Sequence, residues 1–378
     1  MTREQAKRVM VVCGTRPEAI KMAPLVKRLK LCTELETVLC STGQHKQMLD
    51  QVMSVFGLKP DIDLGIMRSG QDLIDVTTGV MQGLRDTFNQ QKPDVVLVHG
   101  DTNTTFATTL TAYYHQVTVH HVEAGLRTGN LYSPWPEEGN RKLTGALAAH
   151  HYAPTKSSRA NLIAEGIHED SITITGNTVI DALLDACAQL EADSNLQATI
   201  AKQLPTLDSA KKLILVTGHR RENFGSGFEN ICKAIATLAQ RDDVQIIYPV
   251  HLNPNVQEPV KRLLSDCENV FLIPTQGYLE FTFLMQQSYV ILTDSGGIQE
   301  EAPALGKPVL VMRDTTERPE AIQAGTVKLV GTEHDHIVSA TTQLLDSPAL
   351  WDSMSQSINP YGDGTASTQI IDRLLSLT

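Results

Sequence analysis

Four carboxylates stand where a strand–turn–helix chain places its reactive groups, just past short apolar runs. Asp101 follows the run 95–98, Glu123 follows 118–122, and Glu137-Glu138 close the segment Tyr132-Ser133-Pro134-Trp135-Pro136. Carboxylates in one neighbourhood push each other's pKa values apart, which is what paired proton removal and delivery need. Each has a plainer reading as well. Asp101 precedes Thr102-Asn103-Thr104-Thr105 and can equally cap the next helix. Glu137 and Glu138 are of a type favoured in any first helical turn. Glu123, in His121-Val122-Glu123-Ala124-Gly125, is more telling, because Glu caps poorly and is rarely buried without a partner. His219, in Thr217-Gly218-His219-Arg220-Arg221, sits beside two cations that favour its neutral form. It is either a donor to an anion and helper of a leaving group, or a turn histidine.

A second group of residues suits phosphate. Thr293-Asp294-Ser295-Gly296-Gly297-Ile298-Gln299-Glu300-Glu301 follows the apolar run 289–292 and opens a helix. Two glycines let backbone N–H groups turn toward one point, and the helix start adds partial positive charge. Glu301, about one and a half turns in, can accept both hydroxyls of a ribose. The plainer alternative is a tight turn. Gly14-Thr15-Arg16-Pro17-Glu18-Ala19-Ile20-Lys21 also follows a strand; Arg16 offers a fork and Lys21 a point charge to phosphate, unless both are a solvated helix start. No second glycine precedes the lysine, so this is not a Walker A loop. Arg313-Asp314-Thr315-Thr316-Glu317-Arg318-Pro319-Glu320 repeats the Arg-Pro-Glu triplet. The repeat predicts two equivalent strand–helix turns with Arg16 and Arg318 facing one cleft, or it is chance.

These residues need a scaffold of strands alternating with helices. Apolar runs at 8–13, 37–40, 95–98, 118–122, 213–216, 244–248, 290–292 and 309–311 lack strict alternation, as strands buried on both faces do. Such a series implies a doubly wound parallel sheet, with ligands at the carboxyl ends of its strands. The series pauses over the polar stretch 191–212, after a helix expected at 179–190. The chain therefore divides into two Rossmann-like α/β domains, 1–176 and 177–363. Gly225-Ser226-Gly227-Phe228-Glu229-Asn230 starts like a dinucleotide fingerprint but ends in Asn and follows no strand directly. With no metal-spaced His/Cys set either, no cofactor is expected.

The 378 residues carry 41% hydrophobic and 20% charged side chains and a net charge of −11, which fits a soluble protein and disfavours nucleic-acid or anionic-membrane binding. Cys13, Cys32, Cys40, Cys187, Cys232 and Cys267 are scattered, as reduced thiols of a cytoplasmic protein are. No apolar run approaches membrane-spanning length.

Taken in order, Gly14-Thr15-Arg16-Pro17-Glu18, Val98-His99-Gly100-Asp101-Thr102, His121-Val122-Glu123-Ala124-Gly125, Trp135-Pro136-Glu137-Glu138, Gly218-His219-Arg220-Arg221-Glu222, Pro249-Val250-His251, Asp294-Ser295-Gly296-Gly297 and Arg313-Asp314-Thr315-Thr316-Glu317-Arg318-Pro319-Glu320 closely resemble the motifs of the non-hydrolysing UDP-N-acetylglucosamine 2-epimerases of bacteria. The resemblance runs from about Val9 to Gly364. It implies a GT-B fold with the site in the interdomain cleft, a C-terminal helix 364–378 returning to the first domain, and a cytoplasmic homodimer serving surface-polysaccharide synthesis. It implies UDP contacts at Arg16, Lys21, Gln276, Phe281, Ser295, Gly296, Gly297, Glu301 and Arg318, with uracil near Gln276 and Phe281. Asp101, Glu123 and Glu137 would be the catalytic acids, with His219 near the phosphates, and Gln44, Gln47 and His251 would belong to a regulatory site. The substrates would be UDP-N-acetylglucosamine and UDP-N-acetylmannosamine. The alternatives are a GT-B glycosyltransferase using the same donor, a hydrolysing epimerase, and a non-catalytic sugar-nucleotide sensor.

Overall fold

The structure is a computed structural model that describes residues 6–43, 46–68 and 70–377. All eight apolar runs form strands. The chain begins β1 (Lys7–Cys13), α1 (Arg16–Leu31), β2 (Leu35–Ser41), α2 (Lys46–Val55), β3 (Ile62–Asp63), α3 (Leu73–Gln91), β4 (Val95–His99) and α4 (Asn103–Tyr114). It continues β5 (Thr118–Val122), α5 (Glu137–Leu147), β6 (His150–Ala153), α6 (Lys156–Ala164), β7 (Ile172–Ile174) and α7 (Thr178–Ala192). These strands form one parallel sheet in the order β3-β2-β1-β4-β5-β6-β7. β1 lies central, with Val11 level with Leu39 on one side and Leu97 on the other. Its residues Val9 to Cys13 are all buried, hence the unbroken apolar run.

Local chemistry sets the helix starts. Thr15 and Glu18 form a reciprocal capping box at α1, with Pro17 in the first turn. Asp72 does the same with Asp75 at α3. Met10, Val12, Val96 and Val98 pack under Val76, Val80 and Leu84 of α3 and Ala107 and Ala112 of α4. Each such large side chain taken fully out of water contributes roughly 1.5–3 kcal/mol.

The second series is α8 (Ser194–Gln203), β8 (Lys212–Thr217), α9 (Ser226–Leu238), β9 (Val244–Val250), α10 (Pro254–Leu264), β10 (Val270–Pro274), α11 (Tyr278–Gln287) and β11 (Val290–Thr293). It ends α12 (Gly296–Ala304), β12 (Val309–Val311), α13 (Pro319–Gln323), β13 (Val327–Leu329), α14 (His334–Asp346), α15 (Pro348–Ser355) and α16 (Ala366–Leu377). Its parallel sheet runs β10-β9-β8-β11-β12-β13. Ile214, Val216, Leu292 and Leu310 pack on Ile231 and Ile235 of α9 and Ile337 and Leu344 of α14.

The chain resolves into two compact units, Met1–Asp185 with Tyr361–Thr378, and Ala186–Pro360, so the division falls inside α7. α16 packs on α1 within the first unit. The polar stretch after α7 holds a helix of its own, α8, because Asp193 accepts the N–H groups of Asn195 and Leu196, both at 3.0 Å.

The strand orders correct the reading of the Arg-Pro-Glu repeat. Arg16 opens the helix after the first strand of its unit, whereas Arg318 precedes the helix after β12, the fifth strand of its own. The turns are not equivalent. The position matching Arg16's turn is the one after β8, which holds Gly218-His219-Arg220. The six cysteines are free, and among the described residues no helix is long and apolar enough to cross a membrane.

Candidate active site

At the carboxyl end of the first sheet, Glu123 is the residue after β5 and is only 5% exposed. Its φ of 61° lies in the left-handed region, which costs a Glu on the order of 1 kcal/mol and persists only where the surroundings enforce it. They do so with four side chains. Lys21 of α1 is ion-paired with Oε2, Asn177 Nδ2 donates to Oε2 at 2.9 Å, and Arg141 Nη2 of α5 lies 3.0 Å from Oε1. Arg141 Nη1 also donates to the Glu123 carbonyl at 2.6 Å, and His99 Nε2 stands 3.7 Å from Oε2. Burial by itself would raise the Glu123 pKa, but Lys21, His99 and Arg141 outweigh it and hold the carboxyl well below its ordinary range. Burial drives His99 down to about 4, so at neutral pH it is uncharged and the cations that count are Lys21 and Arg141.

Asp101 shares Arg141, whose Nη2 lies 2.7 Å from Oδ2. The Asp101 side chain does not cap α4. Thr102 does, accepting the Thr105 N–H at 3.1 Å, because a hydroxyl one residue nearer the helix reaches that donor and leaves Asp101 to the guanidinium. Asn140 Nδ2 donates to the Asp101 carbonyl at 2.9 Å. Glu137 is the first residue of α5, and its Oε2 is buried with no hydrogen-bond partner. Its neighbour Glu138 takes a structural role, accepting the N–H groups of Thr128 and Gly129 at 3.1 Å each.

Glu18 ties this end together. Its Oε2 accepts the N–H groups of Gly14 (2.9 Å) and Thr15 (2.7 Å), and its Oε1 accepts the Thr102 (2.6 Å) and Thr105 (3.1 Å) hydroxyls. Only glycine fits position 14, where a Cβ would stand 2.1 Å from Thr104 Oγ1. This fixes the turn that carries Arg16, the first residue of α1. Lys21, read from sequence as a phosphate cation, directs its ammonium to Glu123.

In the second unit, Ser295 is the N-cap of α12 and Gly296 and Gly297 are its first residues. Neither glycine has positive φ, and a Cβ on either would make only ordinary van der Waals contacts, so neither backbone freedom nor space demands them. A Cβ on Gly296 would stand 3.7 Å from Arg220 Nη2 and 3.8 Å from Arg318 Cζ. Two guanidinium groups thus flank a helix start whose N–H groups already favour an anion. Arg318, the N-cap of α13, is ion-paired with the wholly buried Glu300. Buried Asp294 accepts the N–H groups of His219 (2.9 Å) and Arg220 (2.8 Å), while its Oδ1 lies 3.8 Å from His219 Nδ1. Burial lowers the His219 pKa; Asp294 opposes that, and His251 and Arg220 add to it. His251 stacks on His219 with ring centroids 5.2 Å apart.

Glu301 on α12 accepts the Tyr278 hydroxyl of α11 at 3.1 Å. Phe281 lies on the same helix, and Gln276, in the loop before it, donates to the Pro274 carbonyl at 2.6 Å. Gln44 lies outside the described residues, and so does the Gln47 side chain on α2.

Lys21, Asp101 and Glu123 therefore gather in one unit, and His219, Ser295, Gly296 and Arg318 in the other. Arg141, Asn177, His99, Asp294 and Glu300 were not singled out from sequence. Arg141 was findable, since it lies four residues past Glu137 and so on the same helix face. Asp294 ends a strand as Glu123 does.

The family model described as UDP-N-acetylglucosamine 2-epimerase matches residues 27–375. The UDP-N-acetylglucosamine 2-epimerases of Escherichia coli and Salmonella typhimurium are each 57% identical, over 97% and 98% of this chain and 98% of their own lengths. A crystal structure of the Neisseria meningitidis UDP-GlcNAc 2-epimerase superposes with a TM-score of 0.91 at 51% identity, covering 98% of this chain and all of that one. The two Rossmann-like parallel sheets are those of the GT-B class, and with a family match over nearly the whole length the chain belongs to the UDP-N-acetylglucosamine 2-epimerases.

Proposed function

We propose that this isomerase interconverts UDP-N-acetylglucosamine and UDP-N-acetylmannosamine by elimination and re-addition of UDP, without hydrolysis. The C2 proton of an N-acetyl sugar is not next to a carbonyl, so its direct removal leaves an unstabilised carbanion. In elimination, a carboxylate takes the C2 proton, the C–H pair becomes the C1–C2 double bond, and the C1–O pair leaves with UDP. Re-addition of UDP to the 2-acetamidoglucal, with a proton delivered to the other face, inverts C2. The observation that carries this reading is Glu123, a strained, buried carboxylate held anionic by Lys21 and Arg141, with Asp101 on the same guanidinium. Asp101, Glu123 and Glu137 share the proton work. The α12 start with Arg318, Arg16 and His219 stabilises departing UDP, Glu301 takes the ribose, and Gln276 and Phe281 meet the uracil.

The Neisseria protein was crystallised with UDP-GlcNAc bound, which supports the nucleotide sugar as substrate. A cytoplasmic homodimer that supplies surface-polysaccharide precursors, and a regulatory site using Gln44, Gln47 and His251, belong to the same reading. Incubation with UDP-N-acetylglucosamine in heavy water, without acceptor, tests it. Deuterium at C2 of a product still attached to UDP is expected. Unlabelled substrate would leave the glycosyltransferase or sensor, and free N-acetylmannosamine would mark a hydrolysing enzyme.

A further inference from the structure

The proton-handling carboxylate has a support that comes from the far end of the chain. Asn177 stands one residue before α7 and is 2% exposed. Its Oδ1 accepts the Val179 N–H at 3.1 Å, so its Nδ2 is the atom turned to Glu123 Oε2, 2.9 Å away. Its own backbone N–H donates to the Tyr361 carbonyl at 2.7 Å. That bond exists because two backbones cross almost in contact. A Cβ on Gly176 (φ 81°) would stand 3.0 Å from the Tyr361 oxygen and 3.2 Å from Gly362 Cα, and one on Gly362 would stand 3.3 Å from Gly176 Cα. Only paired glycines allow this approach. A few residues on, the Ser367 N–H donates to Asp181 Oδ1 of α7 at 2.8 Å, so the returning segment is pinned on both sides of the α7 start.

We infer that Asn177 is a positioning residue for Glu123, set in place by the Tyr361–Gly362 segment through the Gly176–Gly362 crossing. The inference rests on Glu123 being one of the reaction's acid/base groups. The division of labour follows from the contacts. Arg141 holds Oε1 and the Glu123 carbonyl, while Oε2 is shared between Lys21, a flexible point charge, and Asn177, a directional donor on rigid backbone. The charged and titratable groups facing Glu123 are Lys21 from α1, His99 at the end of β4, Asp101 just after it, and Arg141 from α5. Asn177 is the member of that shell that does not titrate. It stabilises the carboxylate at every pH and fixes the direction of its Oε2 lone pairs, which a mobile ammonium does not.

The test uses the full-length Asn177→Ala and Asn177→Asp variants, the second nearly isosteric in case the first folds poorly. The Glu123 carboxyl is titrated directly by carbon NMR, and C2 exchange in heavy water is followed against pH. Loss of the donor should raise the Glu123 titration midpoint by about one pH unit, and more with Asp at 177, where a second carboxyl shares the site. The acid limb of kcat/KM should move up with it. kcat should fall about tenfold or more, with the dissociation constant for UDP unchanged. A Glu123 titration that superposes on the wild type in both variants overturns the inference, whatever happens to melting temperature. The two readings fail separately: a moved titration in an enzyme whose wild type exchanges no deuterium sinks the epimerase mechanism and leaves the support of Glu123 standing.

Discussion

Arg141 holds Glu123 at two points, with Nη1 donating to the backbone carbonyl at 2.6 Å and Nη2 3.0 Å from Oε1. A residue with left-handed backbone is thereby fixed in both its main chain and its carboxylate, and the same nitrogen reaches Asp101 at 2.7 Å. Arg141→Lys keeps the charge but loses the planar fork. kcat should fall by about tenfold or more, equivalent to one charged hydrogen bond, while UDP affinity measured by calorimetry stays at the wild-type value. Parallel loss of UDP affinity would place Arg141 on the nucleotide instead.

Glu123→Gln preserves shape and removes the anion that Lys21 and Arg141 surround. Turnover should drop by roughly 10²–10⁴-fold with UDP affinity nearly intact, read from deuterium exchange and a direct binding titration. Wild-type turnover in this variant would remove Glu123 from the proton work.

Arg318→Ala acts in the second unit. Its guanidinium flanks the start of α12, and its loss should weaken UDP binding about 10–100-fold. It also removes the ion pair to the buried Glu300, so melting temperature should fall as well. Combining it with Glu300→Gln separates the effects: stability returns and affinity does not. Affinity that returned with stability would make Arg318 purely structural.

Asp294 accepts two backbone N–H groups around His219, and its charge opposes the burial that lowers the histidine's pKa. Asp294→Asn should therefore shift the His219 imidazole titration to lower pH, as followed by proton NMR. A shift upward would mean that Asp294 does not act on His219 through its charge.

Much of this was legible because strand ends are both spatial and sequence landmarks. A Glu directly after an apolar run, beside a Gly-bearing turn, is an expensive arrangement that needs partners, and Glu123 has them. The partners were hidden because a cation on a helix, such as Arg141, looks in sequence like a solvated face. The Arg-Pro-Glu repeat misled because a triplet carries no information about strand order, and Arg16 and Arg318 follow the first and fifth strands of their units. β6 was hidden as well: His150-His151-Tyr152 is polar in composition, yet its rings are buried by packing on their neighbours on β5.

Those rings make stability depend on pH. β5 and β6 pair His120 with His150 and His121 with His151. On one face His120, His150 and Tyr152 cluster with centroids 5.0–5.7 Å apart, and the charge of Arg373 from α16 disfavours further positive charge there. Burial, helped by these neighbours, lowers His120 to about 3 and His150 and His151 to about 4, against an ordinary value of 6.5. Above pH 6.5 the folded and unfolded chains are both neutral at these sites and stability is at its full value. As pH falls from 6.5 toward 4, the unfolded chain takes up protons that the folded chain refuses, so stability is lost across that window at up to about 1.4 kcal/mol per pH unit for each histidine. Urea midpoints measured from pH 7 to pH 4.5 should fall steadily. His150→Gln, which keeps a polar group for Thr173, should flatten the slope by about one proton. An unchanged slope in that variant would assign the acid sensitivity to groups other than this cluster.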